Sequence, residues 1–242
     1  MKKTILAILM VLPTFAMAAG GNIHIDKVDY DLHNKESLQS GARLFVNYCL
    51  SCHSAAYQRY NRMAEDIGLT DAQVASNLMF AGEKVGETMT VAMTTDDAKI
   101  YFGAKVPDLS VVARARGADW LYTYLRTFHT DESRPFGVNN TTFKDVGMPH
   151  VLWELEGMKK LVNADEMQEH PGTAPKFETI SEGKMTTAEY DNAMRDLTAF
   201  MVYMGEPAKL VRYELGVYVL LFLVLLFLVA YPMKKEFWKD IH

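Results

Sequence analysis

Both cysteines of this 242-residue chain fall in one pentapeptide, Cys49-Leu50-Ser51-Cys52-His53. Cys-x-x-Cys-His is the attachment signature of a c-type haem. Residues at i and i+3 lie on the same side of a helical turn, so both thiols can reach the porphyrin's vinyl groups. The adjacent histidine then points a ring nitrogen at the iron as proximal ligand. Three other uses of the motif fit less well. A thioredoxin-like redox pair follows a strand in an α/β unit, whereas the approach to Cys49 has a helical pattern. A structural zinc site normally needs four ligands, often Cys and His, and the chain has no further cysteine. A plain disulfide leaves His53 without a role. Two cysteines also exclude a multi-disulfide scaffold.

The surrounding pattern is mainly α. Over residues 35–48, Leu38, Ala42, Phe45 and Tyr48 or Cys49 recur at three- and four-residue steps, giving one apolar face. Gly41 on that face permits close approach of a second helix. Thr186 and Glu189 form a Thr-x-x-Glu capping box. Tyr190, Ala193, Met194, Leu197, Phe200, Met201 and Met204 then keep the helical period until Gly205 and Pro207 end it. That stripe reads as core. Ala118–Thr130 reads as a third helix, while 131–149 and 170–184 carry loop residues.

A low-spin electron carrier needs a strong-field second ligand, and methionine raises the potential relative to a second histidine. Among 15 methionines, Met148 is the one followed directly by proline, in Gly147-Met148-Pro149-His150. Proline biases its predecessor to an extended backbone, so this loop can present a thioether with no helix in the way. His150 is the alternative ligand. The haem propionates bring two negative charges, and a nearby arginine lowers the cost of burying them. Arg114 and Arg116 are the candidates for that contact.

The two ends of the chain are apolar. Met1-Lys2-Lys3, an apolar run from Ile5 to Phe15 and Ala16-Met17-Ala18 describe a secretory signal peptide over 1–18. From Leu215 to Met233 no residue is charged. As a helix this stretch spans about 29 Å, which matches a hydrocarbon core of about 30 Å. The expected organisation is a leader (1–18), an exported haem domain (19–212), a transmembrane helix (213–233) and a cytoplasmic tail (234–242). The tail carries Lys234, Lys235 and Lys239, in agreement with the positive-inside tendency. The whole chain has a formal charge of −5. The leader contributes two lysines and residues 213–242 are balanced, so the exported domain carries a net charge of −7. Such a surface is a poor partner for nucleic acid, which needs a basic face.

The chain resembles the cytochrome c1 family, the haem subunits of quinol–cytochrome c oxidoreductase (the cytochrome bc1 complex), over nearly all of its mature length. The resemblance rests on the pentapeptide, on Pro107-Asp108-Leu109-Ser110 followed by Ala113-Arg114-Ala115-Arg116, and on Met148-Pro149-His150-Val151-Leu152-Trp153. It continues in Glu189-Tyr190-Asp191, in Phe200 through Gly205-Glu206-Pro207, and in Lys234-Lys235-Glu236-Phe237-Trp238-Lys239-Asp240. Val106 and Lys144-Asp145 depart from it, standing where relatives often carry proline.

The resemblance implies a class I cytochrome c-like domain of bacterial type, with one C-terminal transmembrane helix in the inner membrane and the haem in the periplasm. It implies one haem c on Cys49 and Cys52, axial ligands His53 and Met148, and Arg114 or Arg116 near a propionate. The implied partners are a cytochrome b subunit, a Rieske iron–sulfur subunit as electron donor, and a soluble or tethered cytochrome c as acceptor. Other readings are a membrane-anchored cytochrome c feeding a terminal oxidase, a peroxidase-like haem enzyme with an open sixth position, and a haem-based sensor or assembly factor. His129 and His150 are the acid/base residues an enzyme would call on.

Overall fold

The computed structural model describes residues 23–240, so the leader expected at 1–18 lies outside the described residues. In chain order the elements are α1 (Lys35–Leu44), a π-helical turn (Phe45–Cys49), β1 (Ala55–Arg59), α2 (Tyr60–Ile67), α3 (Asp71–Asn77), β2 (Thr88–Met89), α4 (Thr95–Phe102), α5 (Val112–Arg116) and α6 (Ala118–Leu125). Then follow β3 (Phe128–Thr130), β4 (Val138–Asn140), α7 (Trp153–Glu156), β5 (Gly157–Leu161), α8 (Ala164–Glu169), β6 (Phe177–Glu182), α9 (Thr187–Gly205) and α10 (Lys209–Phe237). About half of the chain is helical. The described strands form three antiparallel pairs, β1–β2, β3–β4 and β5–β6.

The crossing of α1 and α9 builds the core. The Asn34 side chain caps α1 by accepting from the Ser37 N–H at 3.1 Å. On α9 the capping box is complete, with Glu189 N–H to Thr186 Oγ1 at 3.3 Å and Thr186 N–H to Glu189 Oε2 at 2.8 Å. Gly41 is the contact point. A Cβ there would lie 2.1 Å from the Asp196 carbonyl oxygen and 2.7 Å from Phe200 Cβ. Beside it, Ser37 Oγ donates to Asp196 at 2.6 Å and the Phe45 and Phe200 rings pack at 5.6 Å. Leu38, Ala42, Phe45, Met194, Leu197, Phe200, Met201 and Met204 are buried together, as the two stripes required.

The third expected helix is shorter than its pattern. It stops at Leu125, and Phe128–Thr130 turn instead into β3, paired with β4. Side-chain bonds compete with the helix here. Thr127 Oγ1 donates to Thr123 O at 2.9 Å and meets Asn140 and Thr142 at 3.1 and 2.9 Å. The Tyr190 hydroxyl of α9 then satisfies the free Leu125 carbonyl at 2.9 Å. The stretches read as loops contain β4 and β6 as well.

None of the residues of α10 is buried. Its 29 residues include the uncharged stretch and run on through Lys234 and Lys235, so the start of the expected tail is helical. Pro232 lies inside the helix. A helix this long and apolar, with none of its residues buried, is suited to a single membrane crossing.

Candidate haem-binding site

The core helix delivers the pentapeptide. At the end of α1 the backbone widens, the Leu50 N–H bonding to Phe45 O at 2.9 Å in the i to i−5 pattern of a π turn. The chain then folds back on Cys49, whose carbonyl accepts from Cys52 N–H at 3.1 Å and from His53 N–H at 2.9 Å. One tight turn thus carries both thiols and the imidazole. Neither cysteine is in a disulfide. Burial, with Cys52 beside it, pushes the Cys49 thiol up to about 12. A reactive redox cysteine has a lowered pKa, so this environment does not suit a thioredoxin-like pair.

The segment Pro107–Ser110 holds the residues after the turn in place. Leu109 N–H donates to Ser54 O at 2.8 Å, Ala56 N–H to Asp108 Oδ2 at 2.9 Å and Tyr57 N–H to Ser110 Oγ at 3.1 Å. Asp108 Oδ1 closes its own turn by accepting from Ser110 N–H at 2.8 Å. His53 Nδ1 lies 2.8 Å from the Pro107 carbonyl oxygen. A carbonyl only accepts, so Nδ1 carries the proton and Nε2 keeps its lone pair. Burial lowers the His53 pKa, offset in part by the Pro107 bond and the Asp108 charge. A neutral imidazole with one nitrogen fixed on a backbone carbonyl is the usual state of a metal-ligating histidine.

Met148 lies in irregular backbone between β4 and α7, partly buried against Phe128, Val138 and Val146. The β3–β4 hairpin shapes that loop. Asp145 has a positive φ of 62°, its N–H donates to Asn139 Oδ1 at 2.8 Å, and its carbonyl accepts from Arg134 Nη2 at 2.8 Å. The Tyr124 hydroxyl of α6 donates to the Met148 sulfur at 3.3 Å. Burial raises the Tyr124 pKa well above its ordinary value, with a further push from nearby Cys49. Tyr124 packs against both the main core, which contains Cys49, and the small cluster on which Met148 rests.

His150 faces elsewhere. Its ring stacks on Phe128 at 5.0 Å and 4°, and its Nε2 is 3.0 Å from Glu156 Oε2, a close contact without hydrogen-bond alignment. Glu156 also pairs with Lys159, whose Nζ donates to the Arg126 carbonyl at 2.7 Å. His129 is on β3, near Thr127 O at 3.2 Å and the Phe177 ring at 6.1 Å.

The two arginines part company. Arg116 lies over the Trp120 ring at 5.1 Å and the Phe143 ring at 5.9 Å, on the side of the methionine loop. Arg114 has its Cβ near Gly205, at the end of α9. Both are exposed, and among the described residues neither pairs with a carboxylate.

Two free thiols in one turn, a fixed neutral imidazole, a thioether on a loop and unpaired cations are chemically suited to a covalently attached haem. Nothing in the sequence signals the contact of Tyr124 with Met148. The position of Tyr124 one turn after Trp120, whose ring it stacks on at 5.1 Å, becomes meaningful only with the loop in place.

The chain is 47% identical to the cytochrome c1 of Allochromatium vinosum, the alignment covering 100% of both. It is 46% identical to a protein of Nitrosomonas europaea named ammonia monooxygenase gamma subunit, over 100% of this chain and 99% of that one. The cytochrome c1 of Rhodobacter capsulatus is more distant, 23% identical over 98% of this chain and 97% of that one. The model of the Cytochrome C1 family matches residues 27–241. With the haem-attachment turn, the fixed imidazole and the bare apolar helix, this match places the chain in the cytochrome c1 family, as a membrane-anchored electron carrier with a covalently bound haem c.

Proposed function

We propose that the chain relays single electrons inside a bc1 complex, from a Rieske iron–sulfur subunit to a soluble or tethered cytochrome c. Cys49 and Cys52 would form the thioethers, His53 Nε2 and Met148 Sδ would bind the iron, and Arg116 rather than Arg114 would lie beside a propionate. When bound, the haem supplies the one-electron Fe(III)/Fe(II) couple. The protein's own share is to fix the imidazole, hold the thioether and keep water from the ligand atoms.

The observation that carries this reading is the bond of His53 to Pro107, at 2.8 Å, which leaves a single unprotonated nitrogen for the iron. The resting places of His129 and His150, against Thr127 and Glu156, give no support to an acid/base role of the kind a peroxidase needs. Membrane orientation follows from the leader over 1–18, with the haem domain in the periplasm and residues 234–242 in the cytoplasm. Quinol oxidation belongs to the cytochrome b subunit.

Copurification from native membranes, with haem staining and visible spectroscopy, tests the assembly. Recovery with cytochrome b and an iron–sulfur protein is the expected result. Recovery with a terminal oxidase, or with an ammonia monooxygenase as the name of one relative would have it, replaces the reading.

A further inference from the structure

We propose that Tyr124 is a positioning residue for Met148, its hydroxyl donating to the sulfur and tuning how strongly that sulfur binds iron. The inference rests on Met148 being the axial ligand.

The contact is 3.3 Å from Oη to Sδ, and the thioether has no proton of its own, so the phenol is the donor. Among the described residues the sulfur is the hydroxyl's one hydrogen-bond partner. The ring has little freedom to leave. It stacks on Trp120 at 5.1 Å and 7°, and meets Phe128 edge-on at 5.2 Å and 68°. The backbone beneath it is tied down too, because Asn140 Nδ2 donates to the Tyr124 carbonyl at 2.8 Å. Asn140 ends β4, so one residue links the donor's helix to the hairpin that shapes the acceptor's loop.

A thioether sulfur has two lone pairs. With one on iron, the second is free to accept the phenolic O–H. That bond draws electron density from the sulfur and weakens its donation to the ferric state more than to the ferrous state. The hydrogen bond therefore favours the reduced protein, through the same lever by which outer partners tune a metal's ligands. Removing it lowers the midpoint potential.

The test uses the full-length, haem-loaded protein in a redox titration followed by visible absorbance. Tyr124→Phe keeps the ring and deletes the donor. The oxidised-to-reduced ratio at fixed ambient potential should rise about three-fold, which is roughly 30 mV for a one-electron couple. Tyr122→Phe, on the same helix with its ring against Arg126, should leave the ratio unchanged. Site-specific 3-fluorotyrosine at position 124, a stronger donor of the same shape, should move the ratio the opposite way and does not depend on the Phe variant folding. The weak far-red band of a thioether–ferric bond, recorded in parallel, separates the two levels of the argument. If the unaltered protein lacks that band, the ligand reading fails. If the band is present and neither change at 124 moves the potential, Met148 stands and the role of Tyr124 is overturned.

Discussion

The imidazole of His53 donates through Nδ1 to the carbonyl of Pro107, 54 residues further along the chain, at 2.8 Å. The acceptor is backbone, so no side-chain deletion at position 107 removes it. The geometry of the bond depends on the Asp108 carboxylate, which ties Pro107–Ser110 to the stretch after the cysteine turn through the Ala56 N–H and closes its own turn on the Ser110 N–H.

Asp108→Ala should therefore loosen the histidine's support and lower stability by about 1–3 kcal/mol, since the N–H of buried Ser110 is left without its partner. Calorimetry of the haem-loaded protein should show a melting temperature lower by a few degrees. An unchanged melting temperature would mean that Leu109 and Ser110 hold the segment without the carboxylate.

Gly41→Ala tests the helix crossing that delivers the turn. The new Cβ would sit 2.1 Å from Asp196 O, a backbone atom, so α1 and α9 must separate. Overpacking of this kind costs about 1–3 kcal/mol or more. The yield of haem-stained protein and its melting temperature should both fall. Gly86→Ala, where an added Cβ meets nothing within 4 Å, is the matched control and should leave both unchanged.

The crossing was legible because both helices announce themselves locally. The Thr186/Glu189 box, the apolar stripes and Gly41 are short-range signals of burial and capping, and they appear in the structure where the pattern put them. The cysteine turn was legible for the same reason, being one contiguous pentapeptide. The end of α6 was not. Apolar spacing runs on past Leu125, and what stops the helix is Thr127 bonding to Asn140 and Thr142, partners 13 and 15 residues away. β6 was missed because most of its residues are exposed and lack the alternation that marks a half-buried strand. Proline after Met148 marked the loop, yet the hydroxyl against its sulfur comes from a helix 24 residues earlier.

Asp119 should make stability fall in acid. Burial alone would raise its pKa, but Lys27 Nζ at 2.6 Å and the Val28 N–H at 3.0 Å outweigh that and hold the carboxyl below its usual range. A depressed folded value means the contribution is complete above the ordinary carboxylate pKa of about 3.9 and is lost as pH falls through the lower folded value. The melting temperature of Asp119→Asn should therefore lie below that of the unaltered protein at neutral pH. The gap should shrink as pH falls below the ordinary carboxylate value and close once the lower folded value is passed. A gap that is constant with pH would assign the effect to packing instead of charge.

Electron transfer to a basic cytochrome c should slow as salt rises. The −7 of residues 19–212 is increased by the propionates, and it attracts a cationic partner over distances that counterions shorten. The screening length falls from about 30 Å at 0.01 M to about 8 Å at 0.15 M, so most of the steering is removed across that range. Stopped-flow oxidation of the reduced protein by a basic cytochrome c should show a bimolecular rate that drops about ten-fold or more over it. The anionic oxidant ferricyanide gives the opposite sign: repelled at low salt, it should react faster as salt is added. If both rates were flat, net charge would not govern approach to the haem edge. If both fell together, salt would be acting on the protein itself and not on the encounter.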